Sequence, residues 1–233
     1  LRDAVATVTL NRPAALNALT LAMLEGLAAR LDEWERDDRV RLVVLRGGAG
    51  HVGILGRLDT VRSKDGGRTW GPPAVVVNGA WDDRNPALGQ ALDGTVVLAY
   101  HAQGSYGPDG KWAGSLRRVE MLLTRSHDGG ETWEKPYPLG FPEMERHSAF
   151  GHIVTMPDGT LLLPIYGPGV RSRSASRDHA YLLRSSDQGR TWSDPSLIAE
   201  GYNETALLLL ADGDLLAAIR SDDRDGLLSV TRS

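Results

Sequence analysis

Ser126-His127-Asp128-Gly129-Gly130-Glu131-Thr132-Trp133 decides the fold, because the chain contains this kind of stretch three times. The copies begin at Ser63, Ser126 and Ser185, which lie 63 and 59 residues apart, and all fit Ser-x-Asp-x-Gly-x-Thr-Trp. A period of this length indicates one supersecondary unit used repeatedly. Ser and Asp can hydrogen-bond to turn backbone, Gly permits a positive φ, and Trp offers an apolar face to a neighbouring unit. We therefore interpret this stretch, called the box below, as a folding device with no catalytic role.

Each box has four structural positions, occupied by Ser, Asp, Gly and Trp. They are Ser63, Asp65, Gly67 and Trp70 in box 1, Ser126, Asp128, Gly130 and Trp133 in box 2, and Ser185, Asp187, Gly189 and Trp192 in box 3.

The composition is that of a soluble globular protein of one or two domains, with 233 residues, 41% hydrophobic and 24% charged. A net charge of −4 gives no basic surface for nucleic acid, and the absence of cysteine excludes disulfides and cysteine-ligated zinc. No apolar run is long enough to span a bilayer. We predict no nucleic-acid partner, no membrane span, no cofactor and no metal site. The chain begins with Leu1 and shows no signal peptide, so we expect its true start to be missing. Localisation and oligomeric state stay open.

Residues 1–50 do not share the repeat. Ala4–Leu10 has the pattern of a strand, and Thr20 is a helix N-cap followed by Leu24, Leu27, Leu31 and Trp34 at helical spacing. Arg41–Arg46 is a second strand, which ends at Gly47-Gly48-Ala49-Gly50. The order predicts a strand–helix–strand unit with parallel pairing.

This segment resembles the start of the crotonase (enoyl-CoA hydratase/isomerase) family in Val8–Pro13, Leu16–Leu19 and Leu42–Gly47. The resemblance implies that an oxyanion-hole amide should follow in an Ala-Phe-x-Ala-Gly-x-Asp stretch, but the chain continues as His51–Gly56. The family's second amide donor and its acid/base carboxylates have no match. Because a thioester enolate needs both amides on one oxygen, we predict no crotonase activity. Acyl-CoA chemistry is kept as the last of three functional hypotheses.

Residues 51–233 carry a second repeat, in which Asp-Gly dipeptides separate strand-like runs and so predict hairpins. The runs are Pro86–Leu92 with Thr95–Tyr100, His152–Met156 with Thr160–Ile165, and Thr205–Leu210 with Leu215–Ile219. A third strand leads into each box and a fourth follows its Trp, as in Val119–Thr124 and Pro195–Ile198. Four antiparallel strands per roughly sixty residues are typical of a β-propeller blade. We predict complete blades at 85–139 and 149–199 and partial blades at 51–80 and 203–233, so the propeller should be cut at both ends.

The boxes and their spacing resemble the Asp-box (BNR) repeats of the sialidase superfamily over residues 51–233. The resemblance implies a six-bladed propeller whose site lies on the axis, at one end of the inner strands. We therefore predict a mainly β protein: an incomplete six-bladed, sialidase-like β-propeller preceded by a short β-α-β crotonase-like segment. The domains would be 1–50 and 51–233, joined as a chimera whose origin the sequence does not reveal.

The hairpin repeat indicates which end of the strands carries function. Eight residues before each turn Asp stand Asn85, Phe150 and Glu204, and eight residues after it stand His101, Tyr166 and Arg220. Because a hairpin brings its start and its end together, we expect these six positions to share one face.

Asn203-Glu204 followed by Arg220 resembles the sialidase segment that holds the catalytic Glu and one of three carboxylate-binding arginines. The resemblance implies that Glu204 activates a Tyr nucleophile and that Arg220 binds the sialic acid carboxylate; the alternative is a salt bridge across a hairpin. The Tyr nucleophile, the acid/base Asp and the other two arginines have no match. We therefore predict a sialidase-like exo-glycosidase fold with little or no turnover. The second hypothesis is a non-catalytic propeller that binds sialylated or other glycans.

Four further residues are candidates for substrate binding. Asp83, Arg84 and Asn85 lie in Asp82–Pro86, just before an inner strand, where the alternative is a capped turn. His152 either faces the axis or packs in the next blade. Asp222–Asp225 only loosely resembles a calcium loop, and Arg171–Arg177 has the pattern of a surface loop.

Overall fold

The computed structural model describes residues 5–10, 21–35, 42–47, 56–107, 111–116, 118–144, 146–169, 178–221 and 228–233. The chain divides into two compact units. One comprises Leu1–Ile54 and Tyr106–Ala113, and the other comprises Leu55–Ser105 and Gly114–Ser233. No helix among the described residues has the length and apolarity that crossing a membrane requires.

The first unit contains the predicted strand–helix–strand. Its elements are β1 (Val5–Leu10), α1 (Leu21–Glu35) and β2 (Leu42–Gly47). β1 and β2 pair in parallel from Val5↔Leu42 to Leu10↔Gly47, which confirms the predicted pairing. The predicted turn Asn11–Pro13, the stretch Leu16–Leu19, the N-cap Thr20, the glycines after β2 and the stretch His51–Leu55 lie outside the described residues.

The second unit is built from four antiparallel sheets in chain order. Sheet I has β3 (Leu58–Thr60) and β4 (Ala74–Val77). Sheet II has β5 (Asp82–Gln90), β6 (Val96–Gln103), β7 (Val119–Ser126) and β8 (Tyr137–Pro138). Sheet III has β9 (Ser148–Ala149), β10 (Val154–Thr155), β11 (Leu161–Pro168), β12 (Asp178–Ser185) and β13 (Ser193–Glu200), and sheet IV has β14 (Thr205–Leu209), β15 (Leu215–Arg220) and β16 (Leu228–Arg232). A short 3-10 helix, Gly114–Leu116, lies between β6 and β7.

The three predicted Asp-Gly hairpins are confirmed as β5–β6, β10–β11 and β14–β15. Each turn glycine has a φ near +90°, a conformation that side chains with a Cβ adopt only with strain. The turn Asp accepts a hydrogen bond from the backbone two residues on, for example from Thr95 N to Asp93 Oδ1 at 2.9 Å. Local turn chemistry therefore fixes the position of each hairpin.

Two strands begin at positions that the sequence pattern misplaces. β5 starts at Asp82, so Asp82–Asn85 belong to the inner strand and do not precede it. In sheet III the inner strand is divided, because β9 and β10 both pair with β11 and the residues between them do not. Both differences change which residues lie at the end of the sheets where we expected the candidate site.

Apolar side chains fill the spaces between consecutive sheets. Val77 of sheet I packs with Leu98 and Tyr100 of sheet II, and the partly buried Trp133 joins them. Leu163 and Leu183 belong to the larger cluster between sheets II and III. A third cluster joins sheets III and IV. Successive side chains of β6, and likewise of β11, pack alternately against one neighbouring sheet and the other. This is the pattern expected for strands buried on both faces.

The boxes are closed networks of local hydrogen bonds. In box 1, Ser63 Oγ donates to Asp65 Oδ1 at 2.7 Å and accepts from Gly67 N at 2.8 Å, while Thr69 donates from both its backbone and its hydroxyl to the same carboxylate. Boxes 2 and 3 repeat the Ser–Asp and Thr–Asp bonds. The Thr69 hydrogen bonds, with help from Ser63, lower the pKa of Asp65 to about 2. The Ser, Asp and Thr side chains of each box thus find hydrogen-bond partners within the box. This agrees with our interpretation of the box as a folding device.

The tryptophans of the three boxes differ in how far they are buried. The indole N–H of Trp133 donates to Gly130 O at 3.2 Å, and that of Trp192 donates to Gly189 O at 3.0 Å. Both rings pack against a core between sheets. Trp70 is 62% exposed, so the expectation of an apolar contact with a neighbouring unit is wrong for box 1 among the described residues.

Candidate functional site

The candidate site is built at the end of the sheets where β6, β11 and β15 finish. In the hairpin registers, His101 lies opposite Arg84 and Tyr166 lies opposite Ser148. In sheet IV the Arg220 N–H donates to Glu204 O at 3.1 Å. The predicted end Arg220 is the end of β15, whereas β6 continues two residues past His101 and β11 two past Tyr166. Arg84 and Ser148 occupy the positions expected for Asn85 and Phe150.

Hydrogen bonds join sheet II to sheet III at this end. Asn85 Nδ2 donates to the Tyr166 hydroxyl at 2.9 Å and lies 3.5 Å from Ser148 Oγ. His101 Nδ1 and Ser148 Oγ share a hydrogen bond of 2.5 Å. Asn85 reaches across because a bulge in β5 after Arg84 gives it a φ of +49°, which asparagine tolerates better than most residues. We call Arg84, Asn85, His101, Ser148, Tyr166, Glu204 and Arg220 the polar cluster.

Burial keeps the central groups of the polar cluster neutral. Burial lowers the pKa of His101 to about 4, and the positive charge of Arg84 acts in the same direction. Burial also raises the pKa of Tyr166, and the negative charge of Glu204 adds to that effect. At neutral pH the cluster therefore presents an uncharged imidazole and an uncharged phenol.

Glu204 and Arg220 form the charged side of the polar cluster. Arg220 Nη1 donates to Glu204 Oε2 at 2.9 Å, and the two side chains are 44% and 27% exposed. Sheets III and IV pack together through an apolar cluster, and the charge of Glu204 acts on the pKa of Tyr166. An ion pair this accessible to solvent adds little to stability.

Buried polar groups hold both ends of the polar cluster in place. Asn203, which is 4% exposed, directs its Oδ1 to the Glu204 N–H at 2.8 Å. The buried Asp82 carboxylate binds Arg84 Nε and accepts from Gly56 N at 2.7 Å. Asp82 was named only as the first residue of the stretch Asp82–Pro86, and Ser148 was not predicted. An acid two residues before an arginine was the available signal for Asp82.

Two sequence candidates lie apart from the polar cluster. Asp83 is 4% exposed, and its Oδ2 accepts from Gly79 N at 2.8 Å, while burial raises its pKa. His152 is exposed and forms a backbone bridge with Leu88, further along β5. Neither placement supports direct contact with a substrate bound at the polar cluster. Asp222–Asp225 and Arg171–Arg177 lie outside the described residues.

A metal site is not evident in the part of the chain that the structure describes. Within these ranges, no three His, Asp or Glu side chains are grouped so that they could hold a metal ion.

The profile of the BNR repeat-like domain family matches residues 45–233. The chain belongs to this family. The profile of the enoyl-CoA hydratase/isomerase family matches residues 5–52, which agrees with the crotonase-like start.

Relatives and solved structures of the BNR part agree on the fold. A sialidase from Paraclostridium sordellii is 23% identical over 187 residues, covering 72% of this chain and 45% of that protein. Hadza microbial sialidase Hz136 has a TM-score of 0.62 at 22% identity, over 79% of this chain and 40% of that one. A protein of unknown function from Dyadobacter fermentans has a TM-score of 0.63 at 26% identity, over 80% of this chain and 57% of that one. The predicted mainly β, sialidase-like propeller fold is confirmed, and the chain spans less than half the length of the curated sialidase that it matches.

Proposed function

We propose that the polar cluster is a binding site for a glycan with a terminal acidic sugar, of the sialoside type, and that this chain turns such a glycan over slowly or not at all. The observation that carries the proposal is the accessible Glu204–Arg220 pair beside the neutral Asn85–Tyr166 network. The likeness to a sialidase from Paraclostridium sordellii supports the choice of sugar.

Arg220 is the group that would bind the sugar carboxylate. A guanidinium binds a carboxylate through two parallel hydrogen bonds, and Glu204 Oε2 shows that a carboxylate oxygen reaches Arg220 Nη1 at 2.9 Å. A sugar carboxylate would compete with Glu204 for this side chain. Binding would then leave Glu204 to accept hydrogen bonds from sugar hydroxyls.

The neutral groups would recognise the hydroxyls of the sugar. Tyr166 accepts a hydrogen bond from Asn85 and is also hydrogen-bonded to Ser148, so its hydroxyl would donate to a sugar oxygen in place of Ser148. The raised pKa of Tyr166 keeps that proton in place across the physiological range. Uncharged donors and acceptors suit hydroxyl recognition because they orient a sugar without a second strong charge.

Slow turnover is expected because the Tyr nucleophile, the acid/base Asp and two of the three arginines of the sialidase pattern have no match in this sequence. Tyr166 does not replace that nucleophile, since burial raises its pKa and so disfavours its deprotonation. The nearby acid Asp83 is buried and directed at Gly79 N, where it cannot donate a proton to a leaving group in the cluster. These are the features of a binding site more than of an efficient glycosidase.

Glu204→Gln tests the proposal against exo-glycosidase action. We expect purified chain to release little 4-methylumbelliferone from a sialoside substrate, and the variant to keep its calorimetric affinity for sialyllactose within about threefold. Glu200→Gln, which removes a carboxylate from the exposed end of β13, is the matched control. Efficient release that is lost in Glu204→Gln and retained in Glu200→Gln would show an enzyme instead.

We further propose that the chain joins two domains near residues 50 and 51. The two family profiles support this boundary, since one ends at residue 52 and the other begins at residue 45. Limited proteolysis should cut first near this position and leave a protease-resistant fragment that contains the four sheets.

A further inference from the structure

Asn78-Gly79 is the one Asn-Gly pair in the sequence, and it lies in the link between β4 and β5. Both residues are exposed, and neither belongs to a strand. Glycine has no Cβ, so nothing on the second residue hinders attack of its backbone nitrogen on the preceding side-chain amide. The link therefore has the residue order and the access to water that cyclisation and hydrolysis of an asparagine require.

A buried carboxylate contacts the nitrogen that would attack. Gly79 N donates to Asp83 Oδ2 at 2.8 Å, and Asp83 is 4% exposed. The other oxygen, Asp83 Oδ1, is buried and has no hydrogen-bond partner in the part of the chain that the structure describes. A Cβ at Gly79 would lie 3.0 Å from that oxygen, so a side chain at this position would crowd the carboxylate.

The acceptor of this hydrogen bond is a group that can take the proton. A backbone carbonyl would only hold the N–H, whereas a carboxylate acts as a base. Burial raises the pKa of Asp83 and the charge of Asp82 adds to this effect, while the bond from Gly79 N opposes it. Tyr100 of β6 also faces Asp83, and burial raises the pKa of its phenol, with the charges of Asp83 and Glu120 contributing. The Asp83 carboxylate is therefore a stronger proton acceptor than a solvated one.

We propose that Asn78 is a self-modification site, at which Asp83 is the general base for cyclisation of the asparagine side chain with Gly79 N. Gly79 N forms a bond to Asn78 Cγ while its proton passes to Asp83 Oδ2. The bond from Cγ to the side-chain nitrogen then breaks, that nitrogen takes the proton from Asp83, and ammonia leaves. Water opens the resulting succinimide at either carbonyl, which leaves an aspartate or an isoaspartate at position 78 and returns Asp83 unchanged.

The modification changes the chain just before β5. In the succinimide Gly79 has no N–H, so the hydrogen bond to Asp83 is lost, and an isoaspartate adds one methylene to the main chain. β5 begins at Asp82, whose carboxylate binds Arg84 of the polar cluster. The reaction needs no glycan, so its test is independent of the proposed function.

Comparison of the folded with the unfolded chain tests the role of the fold. A stock unfolded in acidic urea, where cyclisation is slow, is diluted to a chosen pH either without urea or with it. Mass spectrometry of the tryptic peptide Thr69–Arg84 then measures conversion of the amide to the acid at position 78. We expect faster conversion in the folded chain, because unfolding removes Asp83 from Gly79 N. The folded rate should level off once Asp83 is ionised, whereas the unfolded rate should rise with hydroxide through pH 8.

Asp83→Asn separates the base from the hydrogen bond, because the amide oxygen still accepts from Gly79 N but cannot take its proton. We expect this variant to convert about 100-fold more slowly when folded, at the lower end of the range for general-base catalysis. Glu120→Gln, which removes an exposed carboxylate from β7, is the matched control and should convert at the wild-type rate. Asn78→Gln, which would have to close a larger ring, should show no conversion at position 78.

Three results would overturn the proposal. They are conversion of the folded wild-type chain no faster than that of the unfolded chain, a wild-type rate in Asp83→Asn, and equal slowing by Glu120→Gln. If Asp83→Asn does not fold, the pH dependence of the folded wild-type rate decides. A rate that rises with hydroxide as steeply as that of the unfolded chain would then exclude Asp83 as the base.

Discussion

The boxes and the polar cluster differ in how their residues relate to the repeat. Each box repeats the same Ser, Asp, Gly and Trp, and the hydrogen bonds between its Ser and Asp side chains stay within that box. The polar cluster has a different residue pair in each sheet: Arg84 with His101, Ser148 with Tyr166, and Glu204 with Arg220. Its hydrogen bonds run from one sheet to the next. In a repeat protein, the positions that stay constant fold each unit, and the positions that vary are where we look for function.

The largest expected effect is at a box glycine. An alanine Cβ at Gly189 would lie 2.8 Å from Val97 Cγ2 on a backbone with a φ of +77°. We expect Gly189→Ala to lower the free energy of unfolding by about 2–5 kcal/mol, combining left-handed strain with overpacking. Urea denaturation measures this loss.

Gly67→Ala is the matched control for that substitution. Its φ is +87°, but the nearest atom to the added Cβ is 3.9 Å away, on Trp70. The expected loss is about 1–2 kcal/mol from backbone strain alone. Equal losses at the two glycines would show that the contact of box 3 with sheet II does not contribute.

The two regions should lose stability in different pH ranges. The pKa of His101 is about 4 in the folded chain, below its unfolded value of 6.5, so the unfolded chain binds a proton first and stability falls between pH 6.5 and 4. This loss is on the order of 3 kcal/mol. The pKa of Asp65 is lowered from 3.8 to about 2 by Thr69, so its contribution is present above pH 4 and is lost toward pH 2.

The free energy of unfolding measured across pH 2–8 checks these ranges. His147 is also buried with a lowered pKa, so the wild-type curve contains both histidines. His101→Gln should flatten the part of the curve between pH 4 and 6.5 and leave the loss below pH 4 unchanged. An unchanged curve between pH 4 and 6.5 would mean that His101 is not held neutral by the fold.

The smallest expected effect separates two tyrosines. The Tyr166 hydroxyl belongs to the polar cluster, and the Tyr137 hydroxyl donates to Gly189 O in box 3 at 2.7 Å. We expect Tyr166→Phe to weaken sialyllactose binding about three- to tenfold, since one neutral hydrogen bond contributes about 1 kcal/mol. Tyr137→Phe should lower stability by a similar amount and leave affinity unchanged. Calorimetric titration and thermal unfolding of both variants measure the two effects.

The sequence predicted the features of the fold that short-range chemistry controls. The Asp-Gly turns, the boxes and the strands that flank them are determined by residues only a few positions apart in the chain. Their pattern can therefore be recognised in the sequence. The crotonase-like strand–helix–strand was predicted for the same reason. Arg220 and Glu204 were identified because they lie on one uninterrupted hairpin with constant register.

Counting eight residues to either side of each turn Asp gave the wrong strand partner wherever the register changes. The bulge after Arg84 shifts the partner of His101 from Asn85 to Arg84. The break between β9 and β10 replaces Phe150 with Ser148 opposite Tyr166. Contacts between sheets, such as Asn85 with Tyr166, depend on tertiary packing that no local pattern encodes. The burial of Asp83 and the exposure of Trp70 were missed for this reason as well.

The measurement that tests the functional role of the polar cluster most directly is calorimetric titration of sialyllactose into two arginine variants. Arg220→Gln removes the guanidinium of the polar cluster, and Arg190→Gln removes an exposed guanidinium from box 3. We expect the first to weaken binding about 10- to 100-fold, the range for a hydrogen bond to a charged group, and the second to leave affinity unchanged. Equal affinities for both variants and the wild type would contradict the assignment of function to the polar cluster.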